Sequence, residues 1–384
     1  DYVAPPTLGY SRDNFGNGVY GGTTVVLSDL LGDRSLIFSG YINGRIDEAS
    51  VLAAYATQRS RINYVVGLQQ QPYFYYAGST IAVNPRGDGY NDYIEDVRRI
   101  ILRSAFAQAS YPFNRFRRLE FGVEATHLDD GIREYRTVYF PPTGEPVAQD
   151  SKITDLPGAD YVRPSIGLTF DNTIFGYVGP FVGRRSRVEV SRSFGDWKLT
   201  QLTADYRRYD RLFGPFVLAT RGLFIGRTNA DARVAPLFLG STDLLRGHTA
   251  GSYYRHECLT INDPGTYTGC GQLDQLLGNN LGLASAELRF PLLNAQLGFL
   301  PVGFPPIEGA FFWDGGVAWN SNSVVKSSRA PGEDFVRFRT PLQTLGFSIR
   351  ANLLGFLILR GDYSVPQHRN GIGGYWTLSI GPTW

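Results

Sequence analysis

Methionine is absent from this 384-residue chain, histidine occurs four times and cysteine twice. No run approaches the ~18 apolar residues that a spanning helix needs. The stretch 351–359 is broken by Asn352 and is far too short. A helical membrane protein is thereby excluded. An excess of one charge is lacking too: 37 Lys and Arg against 35 Asp and Glu leave +2, which implies no nucleic-acid partner. No CxxC and no His/Cys cluster offers a zinc site, and neither metal nor cofactor is expected. His127, His248, His256 and His368 have no serine or aspartate at a local catalytic spacing, so an enzyme is the weakest reading. The acidic pairs Asp88/Asp92 and Asp129/Asp130 read as solvated loop charges rather than ion ligands. No Pro/Ser linker or low-complexity block divides the chain, so a single domain over 1–384 is expected. It begins at Asp1 without an initiator methionine, as a processed or trimmed product does.

What is abundant is aromatic. Aromatics make up 14% of the chain, with 23 tyrosines and 25 phenylalanines, at a mean hydropathy of only −0.17. That combination suits a membrane barrel, whose strands are apolar on one face only. The last stretch, Gly374–Trp384, carries the pattern most plainly. Trp376, Leu378, Ile380, Pro382 and Trp384 share one face, and Tyr375, Thr377, Ser379, Gly381 and Thr383 the other. A soluble sandwich strand can alternate in the same way, but two large tryptophans on a terminal strand favour lipid. In a barrel this strand would close on the first one, Ala4–Arg12, because an open edge in hydrocarbon strands its backbone groups.

Arg118–His127 alternates as cleanly, with Arg118, Glu120, Gly122, Glu124 and Thr126 opposite Leu119, Phe121, Val123, Ala125 and His127. Ser35–Asn43 and Glu48–Thr57 read as a strand pair around Gly44. The expected fold is all-β: a transmembrane antiparallel β-barrel of about 16 strands. Gly78–Asp92 and Leu128–Gly158 read as long loops. The longest loop, 227–281, holds Cys258 and Cys270. In an oxidising compartment these would form a local disulfide contributing about 3 kcal/mol at best; the alternative is two free thiols. Arg99, Arg103, Arg185, Arg187 and Arg207 fall on the face expected to line the lumen.

Four segments occur in a recognisable order: Ser241–Gly251 (STDLLRGHTAG), Leu277–Leu293 (LGNNLGLASAELRFPLL), Gly309–Trp319 (GAFFWDGGVAW) and the closing strand. Together they resemble the barrel of the bacterial outer-membrane assembly and translocation superfamily, the BamA/TamA-type bacterial surface antigen family. The resemblance is strongest from about Asp171 to Trp384. It implies a multi-pass protein of a Gram-negative-type outer membrane, with a long sixth extracellular loop folded into the lumen. The loop tip of that family carries an Arg-Gly-aromatic motif, matched here by Arg246, Gly247 and His248, the histidine being a departure. The arginine is expected to latch onto wall acids, which by motif are Glu287 and Asp314. Alternation agrees, since each acid lies opposite its strand's apolar face.

The resemblance implies help with assembly or transport of polypeptides at the outer membrane, through the lumen or a lateral seam. The seam would be flanked by Gly374, Trp376, Leu378, Ile380 and Trp384 of the closing strand. Expected partners are the lipid bilayer and lipopolysaccharide, client polypeptides, and periplasmic or lipoprotein subunits. The periplasmic domains that usually precede this barrel are not in this sequence. An anchor or subunit of a larger envelope complex without insertase activity is the alternative, and a diffusion pore the second alternative.

Overall fold

In the computed structural model the described residues are 2–3, 7–13, 16–176, 178–229, 236–249, 252–253, 271–293, 306–328, 330, 332–335, 337–353, 357–367, 369 and 372–380. Cys258, Cys270 and Trp384 lie outside them, so the disulfide and the chain's terminal aromatic do as well.

Among the described residues eighteen strands form one sheet, and neighbouring long strands run antiparallel. Fifteen described strands exceed two residues. They are β1 Thr7–Asp13, β2 Gly16–Ser28, β3 Arg34–Thr57, β4 Asn63–Ala82, β5 Asn91–Pro112, β6 Arg117–Phe140 and β7 Glu145–Asp171. There follow β8 Pro180–Arg192, β9 Thr200–Arg211, β10 Val217–Thr228, β11 Asn280–Leu293, β12 Ile307–Trp319, β13 Leu342–Leu353, β14 Leu357–Pro366 and β15 Tyr375–Ile380. β3 doubles back on itself. Its residues 35–44 pair with β2, its residues 51–57 pair with β4, and Gln58 N donates to Asp33 O at 2.7 Å. The two arms are the pair expected around Gly44. Counting them separately gives sixteen strands among the described residues.

Contacts divide the chain into two units. The first comprises 1–112, 119–166 and 192–198. Its later strands are long: 20, 22, 24 and 27 residues for β4 to β7. A tilted strand crosses a bilayer core in about 9–11 residues, so each of these exceeds a crossing. The segments 78–92 and 128–158, read from sequence as loops, are largely hairpin arms. Only Val83–Tyr90 and Pro141–Gly144 turn the chain. The sequence hid this because EPVAQDSKITD (Glu145–Asp155) is exposed on both faces and carries no period-two signal.

The outward face of this unit changes character along the strands. Ala53, Leu68 and Ala105 lie side by side in register, as do Val51, Gln70 and Arg103 one step further on. The first row is apolar, and the second turns polar. Arg103 donates to Gln70 Oε1 at 2.9 Å and pairs with Asp129. Nearby, His127 meets Asp160 at 2.7 Å and Asp129 at 3.1 Å. Arg103 is thus not on the inner face, as the alternation had suggested; it shares the face of exposed Val66 and Leu68. The step between the rows has the form of a lipid–water boundary.

The second unit comprises 113–118, 167–191 and 199–384. From β8 to β14 its strands are 10 to 14 residues long, the crossing length. One face exposes Phe311 (57%), Trp313 (37%), Leu345 (50%) and Ile349 (38%). The same face of β15 exposes Trp376 and Leu378. A large apolar face open to solvent is untenable in water but natural in lipid. The opposite face of β11 and β12 is buried at every second residue, from Leu281 to Arg289 and from Ala310 to Ala318. What buries it is the long connection between β10 and β11. Leu239, Leu245, Tyr253 and Leu276 of that connection pack against Leu223, Leu281, Leu283, Ala318 and Leu342 of the sheet.

Replacing Phe311 by lysine places a charge on the apolar face of β12. The expected cost is about 2–4 kcal/mol if the site lies near the bilayer midplane. Equilibrium folding into lipid vesicles measures it, with Ser348→Thr, on the opposite face of β13, expected to cost far less.

Candidate functional site

The connection between β10 and β11 forms a short two-stranded ladder of its own, Leu237–Phe238 against Leu277–Gly278. It then turns at Gly247, whose φ of +79° suits glycine. A Cβ there would meet Thr344 Cγ2 at 3.0 Å and Ser364 Cβ at 3.1 Å. The absent side chain lets the loop backbone lie against β13 and β14. Thr344 Oγ1 then donates to Arg246 O at 2.7 Å.

That approach seats the Arg246 side chain, 2% exposed, on the wall. Its Nε and Nη2 donate to Asp314 Oδ2 and Oδ1 at 2.6 and 2.8 Å, a two-pronged pair. Nη1 donates to Glu287 Oε1 at 2.8 Å. The guanidinium lies 3.5 Å from the centroid of the Phe312 ring, close enough for a cation–π contact. The structure thus brings together Arg246, Gly247, Glu287 and Asp314.

Around this pair lies a larger network that the sequence reading missed. Glu287 also accepts from Arg350 Nη2 at 2.6 Å and Arg289 Nε at 2.8 Å. Arg350 reaches Glu308 at 3.4 Å. Ser348 Oγ donates to Asp362, and Arg360 lies 2.9 Å from the same carboxylate. Arg360 also donates to Thr242 O of the loop at 3.0 Å. Four guanidiniums therefore face four carboxylates (Glu287, Glu308, Asp314 and Asp362) across β11 to β14. A signal was available: Arg350, Arg360 and Asp362 fall opposite apolar residues in alternating strands, as Glu287 and Asp314 do.

His248 is fully buried. Its Nε2 faces Gln343 O at 3.4 Å, and a carbonyl only accepts, so that nitrogen is the donor. Nδ1 is then the acceptor for the Tyr253 hydroxyl at 2.8 Å. Arg369 covers the Tyr253 ring at 3.7 Å and donates to Gly247 O at 3.2 Å and Ser252 Oγ at 2.9 Å. The histidine thus fills the aromatic position of the motif and adds two hydrogen bonds. Further along the connection, the helix α1 (Gly271–Asp274) is held by buried Arg339, whose Nη1 donates to Asp274 O at 2.6 Å. Burial raises the Asp274 carboxyl above its ordinary range, and the Arg339 charge opposes that shift.

Of the closing-strand residues, Trp376 and Leu378 face outward from β15. Ile380 pairs with Leu359. Gly374 precedes the strand, and a Cβ on it would strike the Tyr363 ring at 2.4 Å. β15 pairs with β14 over six register pairs, from Ile380 to Tyr375. Its Tyr375 hydroxyl lies 3.4 Å from Thr249 Oγ1 of the loop.

Each arginine proposed for a pore lining lies beside a carboxylate: Arg99 by Glu48, Arg103 by Asp129, Arg185 by Asp171, Arg187 by Glu189 and Arg207 by Asp205. Asp88 and Asp92 pair with Arg86, and Asp130 with Arg98. Among the described residues no group of three or more His, Cys, Asp or Glu side chains could hold a metal ion.

The Omp85 superfamily domain matches residues 160–384, more than half of the chain. The chain belongs to the Omp85 superfamily. Its fold is similar to BamA from Haemophilus ducreyi lacking POTRA domains 1–3, at a TM-score of 0.59 and 17% identity, over 99% of this chain and 70% of that one. It is also similar to CdiB from Acinetobacter baumannii and CdiB from Escherichia coli, each at a TM-score of 0.53 and 12% identity over 98% of this chain. It spans 59% and 66% of those two chains. No curated protein matches by sequence. The all-β antiparallel architecture is therefore that of the Omp85 outer-membrane barrels. The matched region contains the whole Arg246 network.

Arg246→Leu leaves Asp314 buried without its cation, while Glu287 keeps Arg289 and Arg350. The expected loss is about 3–5 kcal/mol, since breaking a buried ion pair strands its partner. Urea titration in detergent, followed by tryptophan fluorescence, measures it. Arg246→Lys is expected to recover only part, because an ammonium cannot make the two-pronged bond.

Proposed function

We propose that this chain is a barrel of the insertase and translocase type, assisting assembly or transport of polypeptides at the outer membrane. Membership of the superfamily supports the class. One observation supports the mechanism: the loop that carries Arg246 also touches the last strand. Thr249 meets Tyr375 of β15, and Arg369, in the β14–β15 connection, bonds to the loop at Gly247 and Ser252. Among the described residues β15 is held to β14 by six register pairs. A seated loop therefore adds a side-chain contact to β15 beyond that ladder. An unseated one frees β15 to fray and to offer its edge to a client strand by β-augmentation.

The alternative is a static anchor within a larger envelope complex. The charge-paired burial of Arg246 favours it, because lifting the loop exposes a costly set of unpaired ions. Partner subunits and lipopolysaccharide contacts belong to both readings. Paired arginines argue against an anion-selective pore.

The two are separated by proteoliposomes that contain the purified chain and receive an unfolded outer-membrane barrel as client. An insertase is expected to raise the rate of client folding about tenfold over empty liposomes. A disulfide clipping β15 to β14, through cysteines replacing Gly361 and Leu378, is expected to abolish that gain without changing the folded state. No gain from the unmodified chain would leave the anchor reading.

A further inference from the structure

β7 is the longest strand, and its two sides are treated differently. On one side it pairs with β6 along the hairpin. Gln149 and Asp150 reach Thr137 and Arg136, and the turn closes through Gly144 N donating to Phe140 O at 2.8 Å. On the other side pairing stops early. Val162 and Tyr161 pair with Phe194 and Gly195. Asp196 then closes the last step, its N–H donating to Asp160 O at 2.9 Å and its carboxylate accepting from Asp160 N at 2.8 Å. Beyond Asp160 no described strand pairs with this side of β7. The residues from Glu145 to Asp155 are all exposed. Val147 and Ile153 are 58% and 37% exposed. This distal arm lies past the polar row that ends the apolar band, so water, not lipid, meets its open side.

An open strand edge in water invites another strand and is usually blunted by proline, charge or a bulge. Here Pro146 and Pro157 bracket the arm but leave ten residues, Val147–Leu156, with every amide N–H intact. Within a strand, alternate residues turn both N–H and C=O to the same side. Half of these residues therefore present unpaired backbone groups. The side chains add a sign. Glu145, Asp150 and Asp155 stand against Lys152, with Asp160 and Asp196 at the base. Arg136 offsets Asp150, and His127 lies beside Asp160 at the base.

We propose that the distal arm of β7 accepts an extended, basic segment of another polypeptide as an added strand. The main chain supplies recognition and the acidic arm selects charge. This holds whichever reading of the barrel is right, because it uses none of the Arg246 site.

Hydrogen exchange with mass spectrometry tests it on the full chain in nanodiscs. The probes are ten-residue peptides alternating Val and Lys, or Val and Glu. The Val/Lys peptide is expected to slow exchange of alternate amides within 147–156 by about tenfold, and the Val/Glu peptide to do so far less. Val147→Thr with Ile153→Thr is expected to keep the effect, since the backbone carries it. Prolines placed singly at Ile153 and Thr154 are expected to differ, only one removing an open-side N–H. Several results would overturn the proposal: no slowing with Val/Lys, equal slowing with Val/Glu, or loss of the effect in the threonine variant. So would an arm already protected without peptide in a chain that sediments as a dimer, because a second copy would then hold the edge.

Discussion

A guanidinium cannot shed its charge inside a protein, so burying one commits the surroundings to carboxylates. Arg246 imposes that constraint on this chain. Its neighbours Asp314, Glu287 and Asp362 come from three strands, β12, β11 and β14, and the arginines that balance them must be brought to the same cluster. The register of β11 through β14 satisfies this, since slipping any strand by one residue would turn its charges into lipid. The latch and the strand register thus support each other. The loop is held by the same side chains that require the sheet to be aligned.

The amphipathic half of the fold was legible because it obeys a period of two. Trp376 and Leu378, or Phe311 and Trp313 against Phe312 and Asp314, announce their faces in the sequence. The latch was legible through the family resemblance, whose motif is matched by Arg246, Gly247, Glu287 and Asp314, and the alternation put both acids opposite their strands' apolar faces. What did not show were the partners that make the site neutral. Arg350 meets Glu287 only after β11 and β13 are aligned across β12, and nothing local encodes that meeting. The cluster of Glu48, Arg99 and Arg133 is as hidden, its members being 51 and 85 residues apart from Glu48. The long arms of β6 and β7 failed to show for the opposite reason. The β7 arm meets water on both faces from Glu145 to Asp155, so polarity gave no alternation there, and the β6 arm buries Arg133 and Thr137, polar residues that give no apolar signal.

These features divide the chemistry of the chain between its two units. In one, short strands and a buried ionic latch order a loop against a sheet face. In the other, strands run past the point where the outward face becomes polar, and leave a backbone edge open. The first kind of structure seats a loop that also touches the last described strand. The second is suited to meeting another chain in water.

The Arg246 network holds the loop in one position on the wall. Spin labels on Ser241 of the loop and Ser321 after β12, with Cys258 and Cys270 replaced by serine, report it directly by pulsed dipolar spectroscopy in nanodiscs. The account predicts a single narrow distance distribution that broadens when Arg246 becomes leucine. A broad distribution with the network intact would contradict it.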